Sequence, residues 1–262
     1  AWSMPIVKRW ERFLGMMDTY QERWLAKGIK PSSAIYNVQH EVVPNFGDVK
    51  VTLSSISPDV EIRYTTDGSE PHAHAWLYRR PWLVKQSQTL KCAAFKDGKQ
   101  MGQTLVLPIQ MNGITGKNIL RSNVVEKRLV NGVRGSLKNT DGEWSSWTKN
   151  DSIALTFDMG TRKKMSHVSV GYLNDYGLAI HKPAKVEIWL SDNEVHYWKV
   201  AERKFGKADI FSQGRFIKDL DFRFDDVARY VRIIIKGAGK CSALHVRPGL
   251  EAQVYLDEVL IE

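Results

Sequence analysis

The residues of this 262-residue chain best suited to chemistry are an adjacent acidic pair, Asp257-Glu258, seven histidines and two cysteines. Neighbouring carboxylates can serve as acid and base when their surroundings push their proton affinities apart. Here they fall in the alternating run YLDEVLIE, which reads as a strand. Successive side chains on a strand point to opposite faces, so the two share no pocket unless a bulge intervenes. His72 and His74 stand two apart, and His167, His181, His196 and His245 are dispersed without the ligand spacing of a zinc site. Cys92 lies on an alternating apolar run, far in sequence from Cys241, so both are expected as free thiols. No GxGxxG, Walker loop, GxSxG or CxxC occurs. These residues supply no self-contained active site, and the chain as given is expected not to be an enzyme.

The elements that must carry these residues divide into three segments. In the first, Trp10, Phe13, Leu14, Met17, Tyr20 and Trp24 recur at steps of three and four and predict an amphipathic helix. Ser3 is its expected N-cap, Pro5 sits in the first turn, and Gly28 and Pro31 supply the stop. So much aromatic surface demands a packing partner. The second segment, about Ile35 to Met111, is all β. Val60, Ile62 and Tyr64 alternate with polar residues before Asp67-Gly68, and Leu90, Cys92 and Ala94 run into Asp97-Gly98. An immunoglobulin-like sandwich is the expected architecture. Trp76, Tyr78 and Trp82 could stack on pyranose rings, but filling or capping this small core is the expected use. The third segment, from about Gly113, has the length of a jelly-roll module, with alternating runs at Ile153–Phe157, Val168–Tyr172, Val186–Leu190 and Val231–Ile235. The fold class is therefore mainly β, with an N-terminal amphipathic helix.

Composition bounds the function. With 43% hydrophobic and 26% charged residues the chain can bury a sizeable core, and its length suits two domains. No apolar run approaches the roughly 20 residues that span a bilayer, and no basic-then-apolar leader opens the sequence. The net charge of +9 comes from 38 Lys and Arg against 29 Asp and Glu. Those cations are interleaved with acids, as in Lys8-Arg9-Trp10-Glu11-Arg12 and Glu202-Arg203-Lys204, which reads as solvated faces rather than a nucleic-acid surface.

Tyr64-Thr65-Thr66-Asp67-Gly68-Ser69-Glu70-Pro71 resembles the signature of the small sandwich at the C-terminal end of chitobiases and β-hexosaminidases. Ala1-Trp2-Ser3, the helix behind it and Gly28-Ile29 resemble the last barrel helix of glycoside hydrolase family 20. In the third segment the order Leu129-Val130-Asn131-Gly132, Trp144 and Trp147, SIALTFDMG, PAKVEIWLSDN, ARYVRIIIK and YLDEVLIE resembles the coagulation factor 5/8 type C, or discoidin, domain, on whose fold carbohydrate-binding module family 32 is built. The resemblances imply a division at residues 1–34, the last helix of a barrel missing here, 35–112, the chitobiase C-terminal domain, and 113–262, the discoidin-like domain.

They further imply the C-terminal accessory region of a β-N-acetylhexosaminidase in a secreted, cell-surface or periplasmic bacterial setting. The catalytic pair of family 20 is an adjacent Asp-Glu at a barrel strand end, a setting that Asp257-Glu258 lacks. The implied ligand surface is the loop end of the discoidin-like domain, with Trp144, Trp147, Asp175, Tyr176, His181, His245 and Arg247 as candidates for glycans ending in N-acetylhexosamine or galactose. The family loop often carries a tryptophan where this chain reads Gly177-Leu178-Ala179-Ile180-His181. No cofactor is implied beyond a structural calcium between the Leu129–Gly135 loop and Glu258, where Asn131 replaces the usual Asp. Two rival roles are domains that only brace the barrel or mediate self-association, and an adhesion module that holds anionic polymers or lipid.

Overall fold

The computed structural model describes residues 10–122, 128–148 and 152–262, so the expected N-cap Ser3, Pro5 and the Ala1-Trp2-Ser3 start lie outside the described residues. The chain is mainly β, as its pattern predicts, with one long helix at Trp10–Ala26. That helix ends where expected. Gly28 adopts φ +73°, and the Ile29 amide donates to the Trp24 carbonyl at 2.8 Å, closing a left-handed glycine cap. Leu14 is buried, Trp24 stacks on Tyr20 with ring centroids 6.0 Å apart, and Phe13 and Tyr20 are exposed.

Three sheets follow. Val38–Asn45, Asp48–Ser55 and Trp82–Val84 form the first. Glu61–Thr65 lies between Trp76–Leu77 and Gln88–Lys96 in the second, with Ile62 opposite Ala94 and Tyr64 opposite Cys92, and Leu105–Ile109 also pairs with Gln88–Lys96. Asp97 at φ 50° and Gly98 at φ 75° form the two-residue turn that pairs Lys96 with Lys99, the left-handed geometry that an Asp-Gly step favours.

The third sheet is built on two long strands, Ser152–Asp175 and Arg215–Lys236, paired antiparallel along most of their length. Their register slips between Asp158 and Lys163, where residues 160–164 are exposed. Before the slip Ile153–Phe157 face Val231–Ile235, which in turn pair with Val186–Leu190; after it Val168–Leu173 pair with Ile217–Phe222 and with Tyr255–Ile261. Both halves contribute to one buried cluster, including Leu155, Phe157, Val168, Val170, Ile188, Ile233, Leu256 and Ile261. The bent ribbon is thus folded onto itself around a single core.

By packing, the chain forms two compact units. One contains the described residues up to His40, Leu53–Arg80 and Leu90–Val106; the other contains Glu41–Thr52, Pro81–Thr89 and Leu107–Glu262. Among the described residues no helix is long and apolar enough to cross a membrane.

Candidate functional site

At the loop end of the long ribbon, Asp175 begins a tight turn. Its Oδ1 accepts the Leu178 amide at 3.2 Å, Ala179 turns left-handed at φ 56°, and Asp175 and Ile180 exchange both backbone hydrogen bonds. The other carboxylate oxygen of Asp175 pairs with Arg215 Nε at 3.0 Å. His181 follows at once, fully buried, with its amide on the Gln253 carbonyl. A second loop, Cys241 to Leu250, is closed by two backbone bonds between Cys241 and the residues Gly249 and Leu250, and carries His245 inward.

These two loops bring together side chains that sequence spacing leaves scattered. His181 Nε2 lies 3.0 Å from His245 Nε2, and one ligand atom each of His181, Cys241 and His245 falls within 4.8 Å of the others. The expectation that the histidines form no ligand cluster is therefore corrected. The two imidazoles are joined by Cys241, four residues before His245, and the readable sign was that Cys-x3-His spacing in a loop. His245 Nδ1 accepts the Arg247 amide at 2.9 Å, so its hydrogen sits on Nε2 and points at His181. His181 Nδ1 makes no well-formed hydrogen bond, although the Ile210 backbone is near enough to favour a proton there. Burial first, then the neighbouring His245, pushes His181 down to about 4. Burial also lowers His245 and raises the Cys241 thiol. Tyr176 is half-buried and packs on His245 with centroids 4.1 Å apart, and Phe211 meets His181 edge-on at 5.0 Å. The Arg247 side chain is exposed.

The tryptophans lie apart from this cluster. Trp144 is buried against Leu173 and Ile180, donates through Nε1 to the Ser136 carbonyl at 3.0 Å, and covers Gly135 so closely that a Cβ there would lie 2.3 Å from the indole. Trp147 is half-buried on the edge of the main core. Trp144 offers no free ring face to a sugar, whereas Trp147 keeps part of its surface exposed.

The acidic pair is arranged differently from a regular strand. Val170 faces Val259 and Tyr172 faces Leu256, so Asp257 and Glu258 together oppose Gly171 in a bulge. Both side chains consequently reach the Leu129–Gly135 loop. Asp257 Oδ2 accepts Arg134 Nε at 2.8 Å and the Gly135 amide at 3.0 Å; Glu258 Oε2 accepts the Gly132 amide at 3.0 Å, and its Oε1 accepts Asn112 Nδ2 at 3.4 Å. Asn131 is buried, donating to Glu143 Oε2 at 2.8 Å and accepting the Val133 amide at 2.9 Å. Burial raises the affinity of Asp257 for a proton despite Arg134, and raises that of Glu258 well above the ordinary carboxylate value. These contacts clamp a loop, and a cation there would have to displace amide donors from Glu258.

In the other unit, the Tyr64-to-Pro71 signature folds as a tight turn. Asp67 Oδ1 accepts the Ser69 amide at 3.0 Å and the Ser69 hydroxyl at 2.6 Å, with Gly68 at φ +81°. Beside it opens a cleft of about 310 Å³ lined by Tyr64, Asp67, Ser69, His72, His74 and Trp76. Trp76 is 67% exposed and stands edge-on to Tyr64 at 5.8 Å, so the expected core-capping use does not describe it.

Comparison with known proteins agrees with the resemblances of the second and third segments, and neither family match reaches the helix of the first. Residues 45–106 match the chitobiase/beta-hexosaminidase C-terminal domain family, and residues 119–246 match the F5/8 type C domain family. Among solved structures, the C-terminal domain of a chitobiase from Bacteroides fragilis is 14% identical, covering 52% of this chain and 78% of that one at a TM-score of 0.33. Chitosan-binding module 1 of a chitosanase/glucanase from Paenibacillus sp. IK-5 is 15% identical, covering 58% and 98% at 0.37. The Clostridium perfringens module CpGH89CBM32-5, solved with GalNAc-β-1,3-galactose, is 16% identical, covering 52% and 82% at 0.33. No curated protein matches the chain.

Proposed function

We propose that this chain, which carries a chitobiase/β-hexosaminidase C-terminal domain followed by an F5/8 type C domain, is the non-catalytic accessory region of a secreted or periplasmic β-N-acetylhexosaminidase, and that its F5/8 type C domain holds the enzyme near glycans. The observation that carries the reading is the order of the two matched domains, residues 45–106 and then 119–246. The divisions after residues 34 and 112 belong to the same reading. The helix Trp10–Ala26, with Phe13 and Tyr20 exposed, is the segment that would meet the barrel.

Glycans ending in N-acetylglucosamine, N-acetylgalactosamine or galactose are the proposed ligands. Of the candidate residues, Trp147 and Tyr176 are half-buried and Arg247 is exposed, while the others are buried. A structural calcium at the Leu129–Gly135 loop also belongs to this reading, with the buried carboxylates Glu143 and Glu258 as its oxygen donors in place of the Asn131 and Gly132 amides that they now accept.

One observation favours the rival, purely structural role. Trp144, Asp175, His181 and His245 are buried and hold their own loops together. A glycan array of the whole chain, run with calcium and with chelator, separates the two. Binding with a dissociation constant around 0.1–1 mM, about 4–5.5 kcal/mol, is expected. Tyr176→Ala should abolish it and Trp76→Ala should not. Loss on Trp76→Ala alone moves the site to the cleft beside the Asp67-Gly68 turn, and a blank array from folded protein leaves the structural role.

A further inference from the structure

We infer that His181, Cys241 and His245 form a binding site for a zinc-class divalent cation at the loop end of the F5/8 type C domain. Two imidazoles and a thiol are the donor set that zinc and its neighbours prefer over hard cations such as calcium. All three are buried, and their ligand atoms lie within 4.8 Å of one another. Tetrahedral zinc, with bonds of about 2.0–2.3 Å, sets ligand atoms roughly 3.3–3.7 Å apart. The His181 Nε2 to His245 Nε2 distance of 3.0 Å must open by only a few tenths of an ångström, and with all three atoms within 4.8 Å no pair need close by more than about 1–1.5 Å.

The backbone holds the three donors in place. His181 is fixed by its amide on Gln253, Cys241 by its bonds with Gly249 and Leu250, and His245 by its amide on the Ser242 carbonyl. Tyr176 and Phe211 flank the imidazoles and exclude water from their sides. Three protein ligands leave a fourth position for water.

A cation would take the place of the single hydrogen that now joins the two rings. The two Nε2 atoms face each other across a single hydrogen, and His181 Nδ1 is buried without a well-formed bond. With a cation between them, both Nε2 atoms become ligands and both rings carry their hydrogen on Nδ1. At His245 this hydrogen replaces the contact from the Arg247 amide, so the Cys241–Leu250 loop must adjust as the metal enters. The thiol proton of Cys241 is released to solvent on binding.

The site uses other residues than the calcium position and lies directly beneath Tyr176 and the Arg247 backbone; its test reads the metal alone, so failure there leaves the glycan array to decide the glycan reading. The test is titration of the reduced, metal-stripped chain with Zn²⁺ against a chromophoric chelator, followed by Co²⁺ substitution. One equivalent per chain is expected, with a thiolate-to-cobalt charge-transfer band and intense tetrahedral ligand-field bands. Cys241→Ser should abolish the charge-transfer band and weaken Zn²⁺ by more than about 100-fold, while Cys92→Ser leaves both intact. His245→Gln should weaken binding without unfolding the ribbon. A folded chain that takes no Zn²⁺, or whose cobalt spectrum lacks the thiolate band, overturns the inference without reference to any variant. Unchanged affinity in His245→Gln does so too.

Discussion

Gly171 shows how one missing side chain sets the loop clamp. A Cβ built there would lie 2.0 Å from Asp257 Oδ1 and 2.6 Å from Arg134 Nη2, so only glycine lets the buried carboxylate and its guanidinium partner occupy that space. Gly171→Ala must push Asp257 or Arg134 aside, an overpacking cost of about 1–3 kcal/mol, and should lower the melting temperature by several degrees in thermal unfolding. Gly15→Ala is the opposite control, because nothing lies within 4 Å of that position in the helix and alanine should stabilise it by up to about 1 kcal/mol. Equal effects of the two would remove Gly171 from the clamp. Sequence reasoning stated the condition for Asp257 and Glu258 to converge, a bulge. It had no means of locating one, because a bulge depends on which partner strand arrives opposite and on whether that partner is a glycine.

At the scale of elements, what local chemistry dictates was legible and what assembly dictates was not. The glycine stop at Gly28 and the Asp97-Gly98 hairpin follow from backbone preferences of one or two residues, and the alternation of Ile153, Leu155 and Phe157 follows from burial on one face. The ligand-capable trio is different. His181 comes from the turn after one long strand and Cys241 and His245 from a loop beyond the other, so no local period links His181 to the Cys-x3-His pair. Trp144 and Tyr176 illustrate the same limit, since an aromatic near a loop reads alike whether it faces solvent or supports its neighbours. The Leu129–Gly135 loop tests how far its sequence departs from a calcium site. Asn131 and Glu143 share a hydrogen bond, so Asn131→Asp places a new carboxylate beside a buried one. Without calcium the variant should melt lower than the parent, by like-charge repulsion; with millimolar calcium it should recover and exceed the parent's calcium-induced shift. A variant indifferent to calcium in the thermal scan would leave the loop as a hydrogen-bonded turn alone.

For the whole molecule, the +9 charge raises the remaining alternative, adhesion to anionic polymer or lipid. The structure bears on it through where the cations are spent. Arg229 pairs with Asp158, Arg134 with Asp219 and Asp257, Arg162 with Asp192, Lys164 with Asp225, Arg215 with Asp175, and Lys185 and Lys199 with Glu187 and Glu202. Cations matched in this way present little of the continuous positive field that releases counterions from a polyanion. Binding to neutral glycans should therefore change by less than about twofold between low and roughly 0.5 M salt, because stacking and hydroxyl hydrogen bonds are not screened. Retention on an anionic polymer should vanish over the same range. A dissociation constant for the glycan that instead rises steeply with salt would mean that unpaired cations such as Arg247 supply the affinity through charge, and the domain would then be an anion-binding adhesion module rather than a reader of neutral sugars.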